Sequence, residues 1–346
     1  MQRYLIRGIL EMSDLDNLRI EEACNGMQAL QMIADSSFDI VLLDKRMPGM
    51  DGDEVCRRSR LILKKILLPI IMVTSSNDDD ELARSFACGV TDFIRKPYNP
   101  MELTARTKAA LAMKRTTDQL DSAESLLFAL ARMVEAKDET TGDHCSRLAH
   151  RSVVFGQALG LSEDELEALR KGGVLHDIGK LGIPDSILMK SSALSASEWK
   201  LMRQHTVIGA KLCEDLTTMR DVVPIILHHH ERWDGTGYPH QLAGNEIPLL
   251  ARVFQIIDIY DALASERPYK KTFSREQIFE IFNEEIGRGW RDPNLTREFM
   301  AILQDEPERF AMPLNQIKRK DEEIFEHIAS TGVLDWDREN LNSSVH

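Results

Sequence analysis

The sequence predicts an α/β doubly wound domain joined by a long helix to an all-α bundle. Three observations carry this. Short apolar runs alternate with helical segments over residues 1–98, a seven-residue apolar repeat runs through 99–135, and helical spacing without strand alternation persists over 136–310. Residues 311–346 form a charged C-terminal tail with room for one short helix.

Taken in order, Tyr4, Leu5, Ile9, Leu10 and Met12 recur at helical spacing. Leu18–Ala23 is a short strand candidate, and Asn25-Gly26 opens a helix through Ile33. Asp39–Leu43 is a nearly continuous apolar run ending on Asp44, the pattern of a strand buried on both faces. A loop at Pro48–Gly52 leads into a helix to about Leu63, and Pro69–Thr74 is a second buried strand. Asp78–Cys88 is helical and closed by Gly89; Asp92–Ile94 is a short strand leading to Lys96-Pro97. Asn99-Pro100 starts the long helix. In it Met113, Leu120, Leu127 and Val134 form one series and Ala109, Thr116, Ala123 and Leu130 its complement. That 4-3 spacing predicts a two-helix seam and a homodimer; the alternative is one amphipathic helix packing on its own domain.

Charge and cysteine usage exclude several function classes. Of 346 residues, 43 are Lys or Arg and 56 Asp or Glu, a net charge of −13. This balance opposes broad nucleic-acid binding, which needs cations to neutralise phosphates, but leaves room for a local basic site that takes one anionic small molecule. No apolar run approaches the ~20 residues that span a bilayer, and MQRYLIRGIL lacks a secretory h-region. The five scattered cysteines (Cys24, Cys56, Cys88, Cys145, Cys213) read as reduced thiols, so a cytoplasmic location is expected.

The first half carries VLLDKRMPGMDG at 41–52, Thr74 after its strand, and Phe93-Ile94-Arg95-Lys96-Pro97. It resembles the receiver domain of two-component response regulators. The resemblance implies Asp44 as phosphoacceptor, Thr74 and Lys96 as switch residues that follow the phosphoryl group, and a histidine kinase as partner. One departure matters. The family places an acidic, Mg²⁺-binding pair after its first strand, whereas here no apolar strand ending in two carboxylates precedes Tyr4, and Asp14 and Asp16 follow a helix. A receiver-like domain lacking its first strand is therefore expected, with an internal gap in the 2-1-3-4-5 order; either the true start lies upstream or this is a degenerate receiver used for dimerisation. Phosphorylation of Asp44 would lack its main counter-charge; the alternative is that Asp44 caps a core strand.

In the second half, eight of the ten histidines fall between His144 and His240. The strongest signal is His176-Asp177-Ile178-Gly179-Lys180, at the end of a helix that Ser162 and Glu165 open with a capping-box pattern. An adjacent imidazole and carboxylate serve one small volume, and a carboxylate can bridge two cations. His-Asp alone is a weak signal. Here Asp143-His144, Gln204-His205, His228-His229-His230-Glu231, Asp234–Pro239 and Asp258–Ala262 accompany it.

In this order the motifs resemble the HD-GYP family of HD metal-dependent phosphohydrolases, over roughly Leu126–Glu306. The resemblance implies a helical bundle, a two- or three-metal centre, and hydrolysis of cyclic di-GMP to pGpG and often GMP. Its ligands map onto His144, His176, Asp177 and Asp258 around one metal, with Asp177 bridging to a second held by His205, His229 and His230. Five imidazoles and two carboxylates suit Fe or Mn, with Ni or Zn also compatible, and are too nitrogen-rich for Mg²⁺ or Ca²⁺. Some members bind a third metal through a Glu at the position of Thr140; with only Glu139 adjacent, two metals are expected.

Such a pair would lower the pKa of a shared water, making a nucleophile near neutrality. Lys180 and Asp177 are the expected catalytic residues; Lys180, Tyr238, Arg267 and Lys270 are expected to bind substrate. His150, His228, His240 and His327 read as structural, and Cys145 as packing. Three functions stay open: a cyclic di-GMP phosphodiesterase; a catalytically silent sensor or adaptor that binds cyclic di-GMP or a GGDEF-domain diguanylate cyclase; and a phosphohydrolase of another nucleotide.

Overall fold

The computed structural model describes residues 2–15, 17–75, 78–137, 144–265 and 272–311. The chain divides into two compact units, Met1–Glu124 and Ser125–His346.

In the first unit α1 (Gln2–Glu11), α2 (Gly26–Asp35), β1 (Val41–Asp44), α3 (Gly52–Leu61), β2 (Ile70–Thr74), α4 (Asp79–Ala87) and β3 (Asp92–Arg95) precede α5 (Pro100–Lys137). The strands pair in parallel in the order β1-β2-β3. All of central β2 is buried, which is why its run is apolar without alternation. Local chemistry sets the helix starts: the Asn25 side chain accepts from Gln28 N and that of Asp51 from Glu54 N. Gly89, at φ +90°, follows the end of α4 in a conformation that glycine adopts without Cβ strain. Parallel register brings Asp44, Thr74 and Lys96 to the carboxyl edge of the sheet, where Lys96 Nζ lies 2.8 Å from Asp44 Oδ2.

The strand expected at Leu18–Ala23 does not form. Its backbone groups find partners on α1 instead: Arg7 donates to Ile20 O at 3.1 Å and Arg3 to Ala23 O at 2.6 Å. Backbone carbonyls are strong acceptors, and here guanidinium groups at a part-buried and an exposed site take the place a neighbouring strand would. The described sheet ends at β1, bordered by a cavity of about 560 Å³ lined by Ile6, Leu10, Leu18, Ile20, Ile33 and Leu42, among others.

The long helix is continuous over 38 residues, yet its heptad series does not share one buried face. Met113 is 64% exposed and Val134 only 3%. A seven-residue repeat drifts by about 20° per heptad around a straight helix, and Met113 lies in the first unit whereas Val134 lies in the second.

The described part of the second unit is built of helices joined by turns and loops, with one isolated antiparallel bridge between Asp234 and Ala243. After α5 come α6 (His144–Ala158), α7 (Glu163–Leu175), α8 (Asp185–Leu188), α9 (Ala196–Met202), α10 (His205–Cys213), α11 (Val223–His228), α12 (Leu249–Ala264), α13 (Arg275–Gly287) and α14 (Pro293–Asp305), with short 3-10 turns between some of them. Ser162 and Glu165 close the expected capping box on α7, and Ser195–Glu198 and Ser274–Gln277 do the same on α9 and α13. Phe155, Phe254, Phe282, Phe299 and Phe310 are fully buried. Phe299 meets Phe155, Phe282 and Phe310 edge to face. Each such ring contributes about 1.5–3 kcal/mol through burial, a core rigid enough to hold α6, α7 and α12 in fixed relation. Among the described residues no helix is long and apolar enough to cross a membrane. All five cysteines are free thiols.

Candidate metal centre

Five stretches of the second unit deliver the seven residues that sequence motifs single out. His144 opens α6, His176 caps α7 with Asp177 next, His205 opens α10, His229 and His230 follow α11, and Asp258 lies on α12. They converge in two groups: Asp177 with His205, His229 and His230, and His144 with His176 and Asp258. Within each group the ligand atoms lie within 4.8 Å of one another. Asp177 links the groups, with Oδ2 3.2 Å from His176 Nε2 and Oδ1 3.4 Å from His205 Nε2.

A close backbone approach makes this convergence possible. The 3-10 turn Ile178–Gly182 lies directly against α10, and a Cβ on Gly179 would stand 1.8 Å from the His205 carbonyl oxygen. Only a residue without a side chain fits, which fixes Asp177 and Lys180 beside His205. In the same turn Lys180 Nζ reaches Asp177 Oδ2 at 3.0 Å.

The imidazoles present lone pairs inward. His205 Nδ1 donates to Met202 O and His229 Nδ1 to Ile226 O, each at 2.8 Å. Both Nε2 atoms are then acceptors, 3.5 Å apart with no proton between them. Burial, and then the His205 ring, push the His230 pKa down to about 3. Burial and the neighbouring imidazoles hold His229 well below its ordinary value. Burial also lowers His205, against the pull of Asp177. Burial opposes ionisation of Asp177, but Lys180 and His176 outweigh it and hold the carboxyl well below the usual range. His176 Nδ1 is buried without a hydrogen-bond partner. The neutral rings of His205, His229 and His230, an ionised Asp177 and an orphaned His176 nitrogen are a donor set that suits divalent transition cations. The residues fit a metal pair.

Behind the first ligand stands a residue whose role the motifs did not disclose. Asp261, 1% exposed, accepts from His144 Nδ1 at 2.7 Å and from Arg147 Nε at 2.8 Å, and pairs with Arg151. Its spacing from Asp258 hints at a shared helical face, but sequence alone cannot show which side chain it meets. Cys145, beside His144, is in neither ligand group: its thiol donates to Val174 O at 3.6 Å, and burial raises its pKa well above the ordinary value.

Tyr238 closes over the centre. Its ring stacks on His230 at 4.8 Å between centroids, with the Arg203 guanidinium 5.1 Å from its own centroid. Burial first, then Asp177, raises its phenol pKa. Beside it lies a cleft of about 520 Å³ whose lining includes Trp199, Lys200, Arg203, Gln204 and Tyr238. Trp199, Lys200 and Arg203 belong to no motif and were not anticipated. Arg267, Lys270, Thr140, Glu139, Asp143, Asp16, His327 and the tail from 312 lie outside the described residues.

Residues 129–295 match the HD domain family and residues 1–108 the response regulator receiver domain family. The chain is 34% identical over 307 residues to the cyclic di-GMP phosphodiesterase response regulator RpfG of Xanthomonas campestris pv. campestris, covering 83% of this chain and 81% of that protein. It is 34% identical over 323 residues to a probable cyclic di-GMP phosphodiesterase of Vibrio cholerae serotype O1, covering 83% and 73%. A 3'3'-cGAMP-specific phosphodiesterase 2 of the same organism is 36% identical over 200 residues, covering 55% of this chain and 38% of that protein.

Proposed function

The chain belongs to the HD-GYP family of receiver-linked HD-domain response regulators, and we propose that it hydrolyses cyclic di-GMP, opening one phosphodiester to give pGpG and the second to give GMP. The observation that carries this reading is the convergence of seven ligand-type side chains in two groups linked by Asp177, with Lys180 on the same carboxylate.

When bound, two divalent cations, Fe or Mn in this proposal, neutralise phosphate charge and lower the pKa of water toward neutrality. The chain's own residues do the rest. His144, His176 and Asp258 would hold one cation and His205, His229 and His230 the other, with Asp177 available to both. Lys180 directs its ammonium at the phosphate and stabilises charge that develops on the leaving oxygen. Tyr238, stacked on His230, limits water entry and gives a base a face to lie on. Trp199, Lys200 and Arg203 offer the adjoining cleft an aromatic face and two cations, which suits the rest of a dianionic dinucleotide. Arg267 and Lys270 take the second phosphate by the same resemblance that marks the ligands. We further propose a homodimer acting in the cytoplasm, regulated through its receiver-like unit, with GGDEF-domain proteins as partners.

A second reading, hydrolysis of a different cyclic dinucleotide, has one observation in its favour: the relative named for 3'3'-cGAMP. The test is anaerobic purification, metal analysis and incubation with each cyclic dinucleotide, with products separated by chromatography. Linear pGpG or GMP from cyclic di-GMP supports the proposal. Equal turnover of 3'3'-cGAMP favours the second reading. Metal-loaded protein that binds cyclic di-GMP without turnover would be the silent sensor.

A further inference from the structure

His228 ends α11 one residue before the first ligand histidine of that stretch, and its ring joins a different cluster. Successive helical residues point about 100° apart, so His228 and His229 face different ways. The ligand atoms of His228, Glu231 and His240 lie within 4.8 Å of one another and share no residue with the seven-ligand centre. The His228 and His240 ring centroids are 5.3 Å apart.

Two features of this cluster call for a cation. His228 is 9% exposed, and its Nδ1 is buried with no hydrogen-bond partner. Glu231 is 0% exposed. Its carboxylate accepts from His240 N at 2.7 Å and Leu242 N at 3.2 Å, with the Gln241 amide also contributing, which still leaves one of its roughly four acceptor positions free. His228 Nδ1 stands 3.7 Å from Glu231 Oε1. That is too long for a hydrogen bond, but close to the roughly 3.3 Å that separates two donors on one tetrahedral zinc with bonds of about 2.0–2.1 Å.

We infer that His228, Glu231 and His240 form a second metal site, separate from the catalytic centre, that takes a zinc-like divalent cation. Two imidazoles and one carboxylate are a zinc donor set, and exposed His240 leaves the fourth position to water. The cation would clip the loop between Glu231 and His240 to the end of α11. Tyr238 lies on that loop, so the clip would steady the ring that covers His230.

The inference does not depend on which reaction the chain catalyses, and its test does not read activity. Wild-type protein, His240→Ala and His228→Gln are equilibrated with low-micromolar free zinc, and bound zinc per chain is measured by mass spectrometry. Each variant should hold one equivalent fewer than wild type, with an unchanged circular dichroism spectrum. Equal zinc in wild type and His240→Ala would overturn the site, as would a folded His228→Gln that keeps the equivalent lost from His240→Ala. If His228→Gln does not fold, tryptic cleavage after Arg232 takes its place. Zinc should slow that cleavage roughly tenfold in wild type and leave His240→Ala unprotected; equal protection in both overturns the inference.

Discussion

Asp261 and His144 are 117 positions apart in sequence and 2.7 Å apart in space, Oδ2 to Nδ1. This contact fixes the ring's tautomer: with Nδ1 bound to the carboxylate, Nε2 is the lone pair left for the cation. Arg147 and Arg151 hold Asp261 in turn, and they and the His144 contact outweigh burial to keep its carboxyl well below the usual range. Asp261→Asn should therefore weaken metal retention about 10- to 100-fold while preserving shape. Dialysis against graded chelator, followed by metal analysis, measures it. Retention equal to wild type would mean that His144 needs no orienting partner.

Lys180 is a group whose loss should separate chemistry from metal binding. Its ammonium is 3.0 Å from Asp177 Oδ2 but is itself no ligand. Lys180→Met should leave two cations bound and lower kcat about 10²- to 10³-fold, the usual cost of removing one charge-stabilising donor. Loss of metal along with activity would instead assign Lys180 a purely structural role at Asp177.

The contrast between these two residues shows how far the sequence could be read. The seven ligand candidates and Lys180 were legible because metal chemistry admits few residue types and the motifs fix their spacing. Asp261 was visible as a letter in Asp258–Ala262, but its role needs the packing of α6 on α12. Trp199, Lys200 and Arg203 carry no pattern until the chain folds Tyr238 beside them. The parallel strands were legible as unbroken apolar runs, whereas Leu18–Ala23 was misread. A strand is defined by its neighbour, and here Arg3 and Arg7 take the neighbour's place.

Gly179 offers a test of position without chemistry. A methyl group there would meet the His205 carbonyl at 1.8 Å and Gly209 N at 2.4 Å, both backbone atoms that cannot swing aside. Gly179→Ala should force the 3-10 turn away from α10, part Asp177 from His205, and cost about 1–3 kcal/mol of stability. Reduced metal content and a lower denaturation midpoint are the expected results. Wild-type values for both would contradict the backbone contact that organises the centre.

The depressed imidazoles make the metal-free protein acid-sensitive in a defined window. An ordinary histidine titrates near pH 6.5, whereas His230 is pushed down to about 3, with burial the leading cause. Between those values the unfolded chain takes up a proton that the folded chain refuses, so stability falls as pH falls. The slope is at most about 1.4 kcal/mol per pH unit for each such ring. Above pH 6.5 the two states bind protons equally and these groups add no pH dependence. Urea denaturation of metal-free protein at pH 7.5, 6 and 5 should show a midpoint that drops at each step, more per pH unit between the last two, and a His230→Gln variant should show a shallower drop.

Asp44 sits where a phosphoacceptor would, at the carboxyl edge of the sheet, but its surroundings do not support the charge. Oδ2 is engaged by Lys96 at 2.8 Å and Oδ1 by Arg46 N at 3.2 Å. Among the described residues no cluster of metal-ligating groups forms around it. A phosphoryl group adds about 1.5–2 negative charges, and one ammonium is a poor substitute for Mg²⁺ held between carboxylates. Incubation with acetyl phosphate and Mg²⁺ should leave the protein unlabelled, at the level of Asp44→Asn. Label that appears in wild type and vanishes in Asp44→Asn would restore the phosphorylation switch and the histidine kinase that the receiver family implies.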